Sequence, residues 1–316
     1  SSSVPSEEEA RPFAMSKRVA SHAGSWYSDY PVELQGQLEK WLKAVTPASS
    51  LLPARGVIAP HAGYSYSGPA AGHAYRHLDP TVVKRVFILG PSHHAFLPGC
   101  ALTRHTHYAT PLGDLNVDKA VTAELHTTGY FDYMDASVDE DEHSIEMHLP
   151  YIFLAMKKCP HPYTIVPVLV GALQPEKEEL YGRVFARHLA DPENFFVISS
   201  DFCHWGRRFG FTHHDQSAGH IYQSIEALDK KGMALIETQE PSSFLKYQQE
   251  FRNTICGRHP IAVLLNALKL LKEGNGQRPV WDLRFVHYAQ SSRCMKPEDS
   301  SVSYASAVLG GAPSTS

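Results

Sequence analysis

Three short apolar runs in this chain each lead directly into residues that can bind a metal ion or transfer a proton. Apolar runs of this length that stop at proline, glycine or serine are typical of buried β-strands. The runs and the polar residues that follow them are Val57–Ala59 with His61, Val86–Leu89 with His93, and Phe195–Ile198 with Asp201, Cys203 and His204. An α/β sheet places its functional groups outside the carboxyl ends of its parallel strands. The pattern therefore predicts an α/β fold in which these side chains meet at one edge of the sheet.

The rest of the chain is consistent with one α/β domain in which helices flank a central mixed or parallel sheet. At 316 residues and 43% hydrophobic content, the chain can bury a large core. Further strands are predicted over 163–171, 281–288 and 301–309, the last two as an antiparallel pair at one edge. Helices are predicted over about 69–77 and 215–230, among others, and Asp118 is expected to cap another.

Charge and composition argue against several classes of function. A net charge of −4 provides no basic surface for nucleic acid or for an anionic membrane. The chain has no apolar run of about 18 residues, so no membrane-spanning segment is predicted. Five scattered cysteines favour reduced thiols in a cytosolic protein over a disulfide framework. Glycine-rich nucleotide loops and the serine-hydrolase elbow are missing from the sequence, so no nucleotide cofactor is expected.

The two ends of the chain differ in composition from the rest. Residues 1–14 are acidic and lack the apolar segment of a secretory signal, so we expect a disordered leader or an expression remnant. Residues 15–310 are expected to form the domain. Residues 311–316 are expected to be a disordered tail.

His61, His93 and Asp201 are the first candidates for a metal site. Two histidines and one carboxylate are the usual ligands of non-haem iron, and they leave positions open for substrate. Either histidine alone could equally be a hydrogen-bonded loop residue. We interpret them as ligands because two histidines and a carboxylate each follow a strand, and these strands are expected to be neighbours in the sheet.

Cys256 lies in the segment Cys-Gly-Arg-His-Pro at the start of a predicted helix. A helix N-terminus lowers the pKa of a thiol and favours the thiolate, which binds metals or reacts. The alternative is a buried, unreactive cysteine. Arg258 and His259 could pair with an anionic substrate or simply be solvated in the turn.

The acidic segment Asp139–His148 contains two histidines but does not match a zinc-protease helix. His143 and His148 are five positions apart instead of four, so they do not share one helix face. We expect Glu142 and Glu146 to form a charge cluster at a helix N-terminus. His143 and His148 are candidates for residues that lie behind the metal ligands.

Several long motifs resemble the Memo family, and together they cover the chain from about Met15 to Leu309. The segments that carry the resemblance are Ser21–Tyr27, Ala59–Tyr64, Leu89–His94, Glu140–Tyr151, Ser199–Gly206, Ile255–Pro260 and Ser300–Tyr304. The acidic segment and the Cys-Gly-Arg-His-Pro segment resemble the eukaryotic branch, which mediates cell motility driven by receptor tyrosine kinases.

The resemblance implies a fold similar to the class III extradiol dioxygenases, which hold a non-haem iron with two histidines and a glutamate. The metal ligands it implies here are His61, His93 and Cys256, with the cysteine in place of that glutamate, and Asp201 beside them. It further implies that His204 is the acid/base residue, and Asp201 is the second candidate for a catalytic residue. A thiolate ligand is softer and oxidisable, which favours copper or a redox role over ring cleavage.

The resemblance also implies a ligand. Trp26 and Tyr66 match aromatic residues at the mouth of the pocket, where the resemblance implies binding of phosphotyrosine-containing peptides, and Arg258 is a candidate for complementing the phosphate. The expected function is a copper- or iron-binding redox protein in receptor tyrosine kinase signalling, cell migration and metal homeostasis. A non-catalytic phosphotyrosine-peptide adaptor and a metal carrier are the alternatives, so whether the protein is an enzyme stays open. The expected location is the cytoplasm, with the nucleus as a further one.

Overall fold

The three apolar runs form strands of one sheet, and the longer strands are rich in β-branched and aromatic residues, as strands generally are. The computed structural model describes residues 15–313, so the predictions for residues 1–14 and 314–316 lie outside the described residues. Within the described range the strands are β1 (Lys17–Arg18), β2 (Ala54–Ala59), β3 (Arg85–Pro91), β4 (Cys100–Leu102), β5 (His107–Thr110), β6 (Gly113–Asn116), β7 (Phe131–Tyr133), β8 (Thr164–Val170), β9 (Asn194–Ser199), β10 (His204–Trp205), β11 (Asp282–Gln290) and β12 (Ser301–Gly310).

Helices connect most of these strands. Over the same residues they are α1 (Pro31–Lys43), α2 (Tyr64–Tyr75), α3 (Lys119–Thr127), α4 (Ala136–Asp141), α5 (Leu149–Ala155), α6 (Pro175–Ala190), α7 (Ile221–Glu237), α8 (Pro241–Phe251) and α9 (Arg258–Gly274). Proline occupies the first turn of α1, α5, α6 and α8, where its missing N–H would have no helical partner anyway. Asp118 caps α3 as predicted, because its side chain accepts a hydrogen bond from the backbone N–H of Val121.

The main sheet is mixed, which confirms the predicted fold class. Its strand order is β10-β12-β2-β9-β3-β8-β4-β7, with β11 paired to β12. Strands β2, β9, β3 and β8 are parallel neighbours, and β11 and β12 are antiparallel, as predicted. Strands β1, β5 and β6 form a small separate sheet.

Both faces of the parallel strands are buried. Successive side chains point to opposite faces, and each face packs into a different hydrophobic core. In β2, for example, Val57 and Ala59 belong to the core that contains side chains of α1, α2 and α5. Ile58 lies between them and belongs to the other core, which contains side chains of α6 to α9. Among the described residues, no helix is long and apolar enough to cross a membrane.

The segment after β9 crosses the end of β2 and joins β12, and this crossing positions the site. The backbone N–H of Ser200 donates to the carbonyl of Ala59 at 3.0 Å, and that of Phe202 donates to the carbonyl of Ser303 at 2.9 Å. Asp201 lies between these two anchored residues. Its side chain is therefore fixed at the carboxyl ends of the parallel strands.

Two helices differ from the sequence prediction. Helix α2 begins at Tyr64 instead of near Pro69, because Tyr64 is buried and its hydroxyl donates to the carbonyl of Met147 at 2.6 Å. Helix α7 begins at Ile221 instead of near residue 215, since Gly219 has a φ of +101° that interrupts the helical path.

Candidate metal centre

His61 and His93 lie at equivalent positions, each two residues beyond the end of a parallel strand. They follow β2 and β3, and β9 lies between those strands in the sheet. Asp201 follows β9 at the same spacing. The strand-end pattern therefore brings together the three residues that it predicted to meet.

Cys256 comes from a different part of the chain, the turn that precedes α9. Gly257 allows this turn to approach β9 closely. A Cβ atom at Gly257 would lie 2.3 Å from Cβ of Ser200 and 2.4 Å from the carbonyl oxygen of Ser199. The Gly257 N–H also donates to the Ser200 hydroxyl at 3.0 Å. Because glycine has no side chain, the turn can lie against the end of β9, and this places Cys256 in the site.

The potential ligand atoms of His61, His93 and Cys256 all lie within 4.8 Å of one another. The closest described approach joins Cys256 Sγ and His61 Nε2, at 3.2 Å. Atoms at this spacing could be bound by one ion, with a small adjustment to reach the 2.0–2.3 Å typical of metal–nitrogen and metal–sulfur bonds. Two imidazoles and a thiolate are a donor set for copper, iron or zinc.

His61 is buried and held at two points. Its backbone N–H donates to Asp201 Oδ1 at 2.8 Å, and its ring Nδ1 lies 2.7 Å from the hydroxyl of Ser199. Burial and the neighbouring His93 keep the pKa of His61 well below its ordinary value. His61 is therefore neutral, which is the form that binds a metal.

His93 is oriented by a carboxylate. Its ring Nδ1 lies 2.6 Å from Glu142 Oε1, and its backbone N–H donates to Oε2 of the same residue at 2.9 Å. Burial opposes a charge on His93, but its interactions with Cys256 and Glu142 outweigh burial and raise the pKa of His93 to about 10. Burial also opposes the charge on Glu142, but His93 lowers the pKa of Glu142 to about 2. A carboxylate that fixes the outer nitrogen of a histidine is common behind metal sites.

Of the two alternatives for the Cys256 thiol, a lowered pKa and a buried cysteine, the structure favours the second. A position before a helix predicted a lowered pKa, but burial raises the pKa of Cys256, with His93 opposing that effect. The helix terminus does not outweigh the partial burial of this side chain. A metal bound here would therefore displace a proton from sulfur.

The acidic segment also differs from the prediction, because Glu142 and Glu146 are buried ion-pair partners and not a charge cluster at a helix N-terminus. Glu142 binds His93. Glu146 receives hydrogen bonds from the guanidinium of Arg18 and from the backbone N–H of His22, the latter at 2.8 Å. Arg18 also binds Asp139 at 2.9 Å. This network fixes the segment that presents Glu142 and His143 to the site.

His143 and His148 lie near the site in different ways. The His143 ring stacks on His93 with a centroid distance of 4.4 Å, and it packs against the Trp26 ring at 4.3 Å. Burial, with His93 nearby, lowers the pKa of His143 to about 3. His148 is completely buried, and its Nε2 lies 2.8 Å from the hydroxyl of Ser199 behind His61.

The site opens into a cavity of about 640 Å³. Trp26, Tyr66 and His204 line this cavity together with His61 and His93. Tyr66 is 62% exposed, which places it at the rim.

Arg258 lines a separate cavity of about 270 Å³ with Glu178 and His259, so the structure does not bring it to the metal centre. The cation that lines the metal-centre cavity is Arg208, which sequence reasoning missed.

His204 and Asp201 are held by the backbone. His204 Nδ1 lies 2.9 Å from the carbonyl of Phe202 and 3.0 Å from that of Thr254. Because carbonyls only accept hydrogen bonds, Nδ1 carries a proton, and a neutral His204 keeps a free lone pair on Nε2. Asp201 is buried, and burial raises its pKa, with His204 opposing the shift.

Comparisons with known proteins agree with these motifs. The family model described as Memo-like protein matches residues 18–308. Protein MEMO1 of Mus musculus is 54% identical over 292 residues, which cover 92% of this chain and 97% of the mouse protein. Protein MEMO1 of Xenopus laevis is 56% identical with the same coverage. Protein memo-1 homolog of Caenorhabditis elegans is 49% identical over 298 residues, which cover 94% of this chain and 83% of the worm protein. The chain belongs to the Memo family, as its motifs predicted.

Proposed function

We propose that this protein binds one copper or iron ion through His61, His93 and Cys256 and acts as a metal-dependent redox protein. The observation that carries the proposal is that these ligand atoms lie within 4.8 Å of one another and that His61 and His93 line a cavity. Each histidine also has a polar partner on its other ring nitrogen, as metal ligands usually have. A bound copper or iron ion would supply electron transfer to oxygen or to a reduced oxygen species.

The protein's own groups would manage protons at this site. His204 lines the cavity with Nδ1 fixed by backbone carbonyls, so its Nε2 can accept a proton from a molecule in the cavity. Asp201 holds the backbone of His61 in place and lies beside the ligands. We therefore assign proton transfer to His204 and a supporting role to Asp201.

The proposal is tested by the metal content of the purified protein. Bound metals are measured by mass spectrometry after purification without added metal and after anaerobic loading with Fe(II) or Cu(I). The wild type is compared with His61→Ala, His93→Ala and Cys256→Ser. We expect stoichiometric metal in the wild type and a loss of it in all three variants.

The chain offers a matched control for these substitutions. Cys159 Sγ lies 3.2 Å from His161 Nδ1, the same spacing as between Cys256 and His61, but outside the cavity. A Cys159→Ser, His161→Ala double variant should keep its metal. Metal content that is unchanged in a His61→Ala, His93→Ala double variant would contradict the proposal.

A second candidate function is the binding of phosphotyrosine-containing peptides in the same cavity. Trp26 and Tyr66 line the cavity and offer aromatic surfaces, and Arg208 offers a cation that could bind phosphate. This activity would serve receptor tyrosine kinase signalling and cell migration, in the cytoplasm and the nucleus. Residues 15–310 would form the folded unit that carries both functions.

The position of Arg258 makes the peptide proposal testable. Arg208→Ala should weaken binding of a phosphotyrosine peptide by about fivefold, which corresponds to about 1 kcal/mol for a solvent-exposed charge pair. Arg258→Ala should leave that binding unchanged. Fluorescence anisotropy measures both, with and without a chelator. Equal effects of the two variants would show that the phosphate does not bind at Arg208.

A metal carrier without turnover is the remaining alternative. Tight stoichiometric binding of Cu(I) or Fe(II) without oxygen consumption would favour it over a redox enzyme.

A further inference from the structure

A continuous line of buried polar side chains runs from His61 into the protein interior. Ser199 and His148 are fully buried, and Tyr75 is 1% exposed. The Tyr75 hydroxyl lies 2.6 Å from His148 Nδ1, and His148 Nε2 lies 2.8 Å from the Ser199 hydroxyl. Ser199 Oγ in turn lies 2.7 Å from His61 Nδ1. These contacts connect helix α2 to the metal centre through four side chains.

The backbone carbonyl of Ser144 decides the direction of the hydrogen bonds at Ser199. Ser199 Oγ lies 2.7 Å from the backbone carbonyl oxygen of Ser144, which can only accept a hydrogen bond. A serine hydroxyl has one hydrogen and two lone pairs. Because the hydrogen is donated to Ser144, both imidazoles must donate to Ser199. His61 therefore carries a proton on Nδ1, and His148 carries one on Nε2.

The same reasoning extends through His148 to Tyr75. Burial lowers the pKa of His148 to about 3, so the ring is neutral and has only one proton. With that proton on Nε2, the Nδ1 atom has a lone pair that accepts the Tyr75 hydroxyl. Tyr75 thereby keeps His148 from moving its proton to Nδ1.

We infer that Ser199, His148 and Tyr75 are positioning residues that hold the His61 proton on Nδ1 and so present the Nε2 lone pair to the metal. This inference rests on the proposed metal site. The protonation pattern that it predicts, however, exists in the metal-free protein and can be measured there.

The opposite pattern would hinder metal binding. If Ser199 donated to His61 instead, the proton of a neutral His61 would lie on Nε2, which is 3.2 Å from Cys256 Sγ. The Ser144 carbonyl would then lose its Ser199 donor in a fully buried place. The chain therefore selects the tautomer that can bind a metal without first losing a proton.

Nuclear magnetic resonance of the metal-free protein tests the inference directly. In a long-range proton–nitrogen correlation spectrum of protein labelled with ¹⁵N-histidine, protonated and unprotonated ring nitrogens have well-separated shifts. We expect His61 to be protonated on Nδ1 only and His148 on Nε2 only. A His61 proton on Nε2 would overturn the inference.

Metal affinity gives a second readout, measured by competitive titration with Cu(I) and with Fe(II). Ser199→Ala should weaken metal binding by about 10–100-fold, the usual effect of losing the partner of a metal-binding histidine. Tyr75→Phe should weaken it less and should produce a mixture of His148 tautomers. The ring of Phe can keep the stacking on Tyr151.

Tyr151→Phe is the matched control. The Tyr151 ring stacks on that of Tyr75 at 4.9 Å, and its hydroxyl donates to the carbonyl of Gly68 at 2.6 Å, so the substitution removes a buried hydroxyl of the same kind outside the line of hydrogen bonds. Affinity should stay unchanged in this variant.

The two proposals fail in different ways. If His61→Ala loses the metal but Ser199→Ala and Tyr75→Phe bind it as tightly as Tyr151→Phe, the positioning role is overturned and the metal site stands. If the wild type takes up neither metal although His61 shows the predicted tautomer, the metal site is overturned, and the positioning role for a metal falls with it.

Discussion

His61 and His93 occupy the same place relative to their strands, but their surroundings are opposite. His61 is 2% exposed and has a neutral hydroxyl as its partner, whereas the His93 side chain is 25% exposed and has a carboxylate. The pKa of His61 lies well below its ordinary value because of burial. Interactions with Cys256 and Glu142 outweigh burial at His93 and raise its pKa to about 10.

This difference shows that the surroundings of a strand-end histidine, and not its position after a strand, set its protonation state: burial at His61, and the interactions with Cys256 and Glu142 at His93. A metal that enters the site meets a free lone pair at His61 but must displace a proton at His93. Burial raises the pKa of Cys256, so a second proton must leave the thiol. Metal affinity should therefore rise with pH, and the dependence should come from His93 and Cys256 and not from His61.

The largest expected effect, on the free energy of unfolding, comes from breaking the ion-pair network around Glu142, the partner of His93. Arg18 is 1% exposed and binds Glu146 and Asp139, which flank Glu142 in the chain. Arg18→Met leaves both carboxylates buried without their cation. We expect the free energy of unfolding to fall by about 3–5 kcal/mol, measured by urea denaturation.

An exposed ion pair provides the control for this substitution. Lys84 binds Glu193 at 2.5 Å, and both side chains are 48% exposed. Lys84→Met should cost less than about 1 kcal/mol. If Arg18→Met cost no more than Lys84→Met, the buried network would not be what holds the segment around Glu142.

The second prediction concerns a substitution that gives His93 a neutral hydrogen-bond partner, as His61 has. Glu142→Gln keeps the size of the side chain but replaces the charged partner of His93 with a neutral one. Affinity for Cu(I) should fall by about 10–100-fold, and the pH dependence of binding should become weaker, both measured by competitive titration. Glu140→Gln, in the same segment, is the control and should change neither. An unchanged pH dependence in Glu142→Gln would show that the carboxylate does not set the protonation of His93.

Local sequence patterns predicted the fold and the nearness of His61, His93 and Asp201. Apolar runs that end in Pro60 and Pro91 indicated strands, and the carboxyl ends of parallel strands lie at one edge of a sheet. His61, His93 and Asp201 could therefore be found without knowledge of any distant contact. Their nearness depends only on which strands are neighbours.

The protonation states could not be predicted in the same way, because they depend on distant parts of the chain. Glu142 is 49 residues from His93, and Ser199 is 138 residues from His61. Neither partner shows a local pattern that marks it as a partner of a strand-end histidine. Cys256 shows the same limit, since its helix-start position was visible in the sequence but its burial was not.

The third prediction concerns the stability of the metal-free protein. The pKa of His93 is raised from 6.5 to about 10, so its stabilisation is complete below about pH 6.5 and is lost as the pH rises through 10. The pKa of Glu142 is lowered from 4.5 to about 2, so its stabilisation is complete above pH 4.5 and is lost as the pH falls through 2. Wild type should therefore exceed Glu142→Gln in unfolding free energy most clearly between about pH 4.5 and 6.5. Urea denaturation with a chelator present measures this difference, and a difference that stayed constant up to pH 10 would contradict the assignment.

The smallest expected effect comes from Ser144, the residue that joins the two sides. Its carbonyl accepts from Ser199 on the His61 side, while its hydroxyl donates to the carbonyl of Pro91 at 2.8 Å on the His93 side. Ser144→Ala removes only the second bond, because the backbone carbonyl remains. We expect a loss of about 1 kcal/mol in unfolding free energy and a shift of the His93 ring resonances, with those of His61 unchanged. Equal shifts at both histidines would mean that the two sides move as one unit, and the contrast between their protonation states would then depend on the whole site instead of on their separate partners.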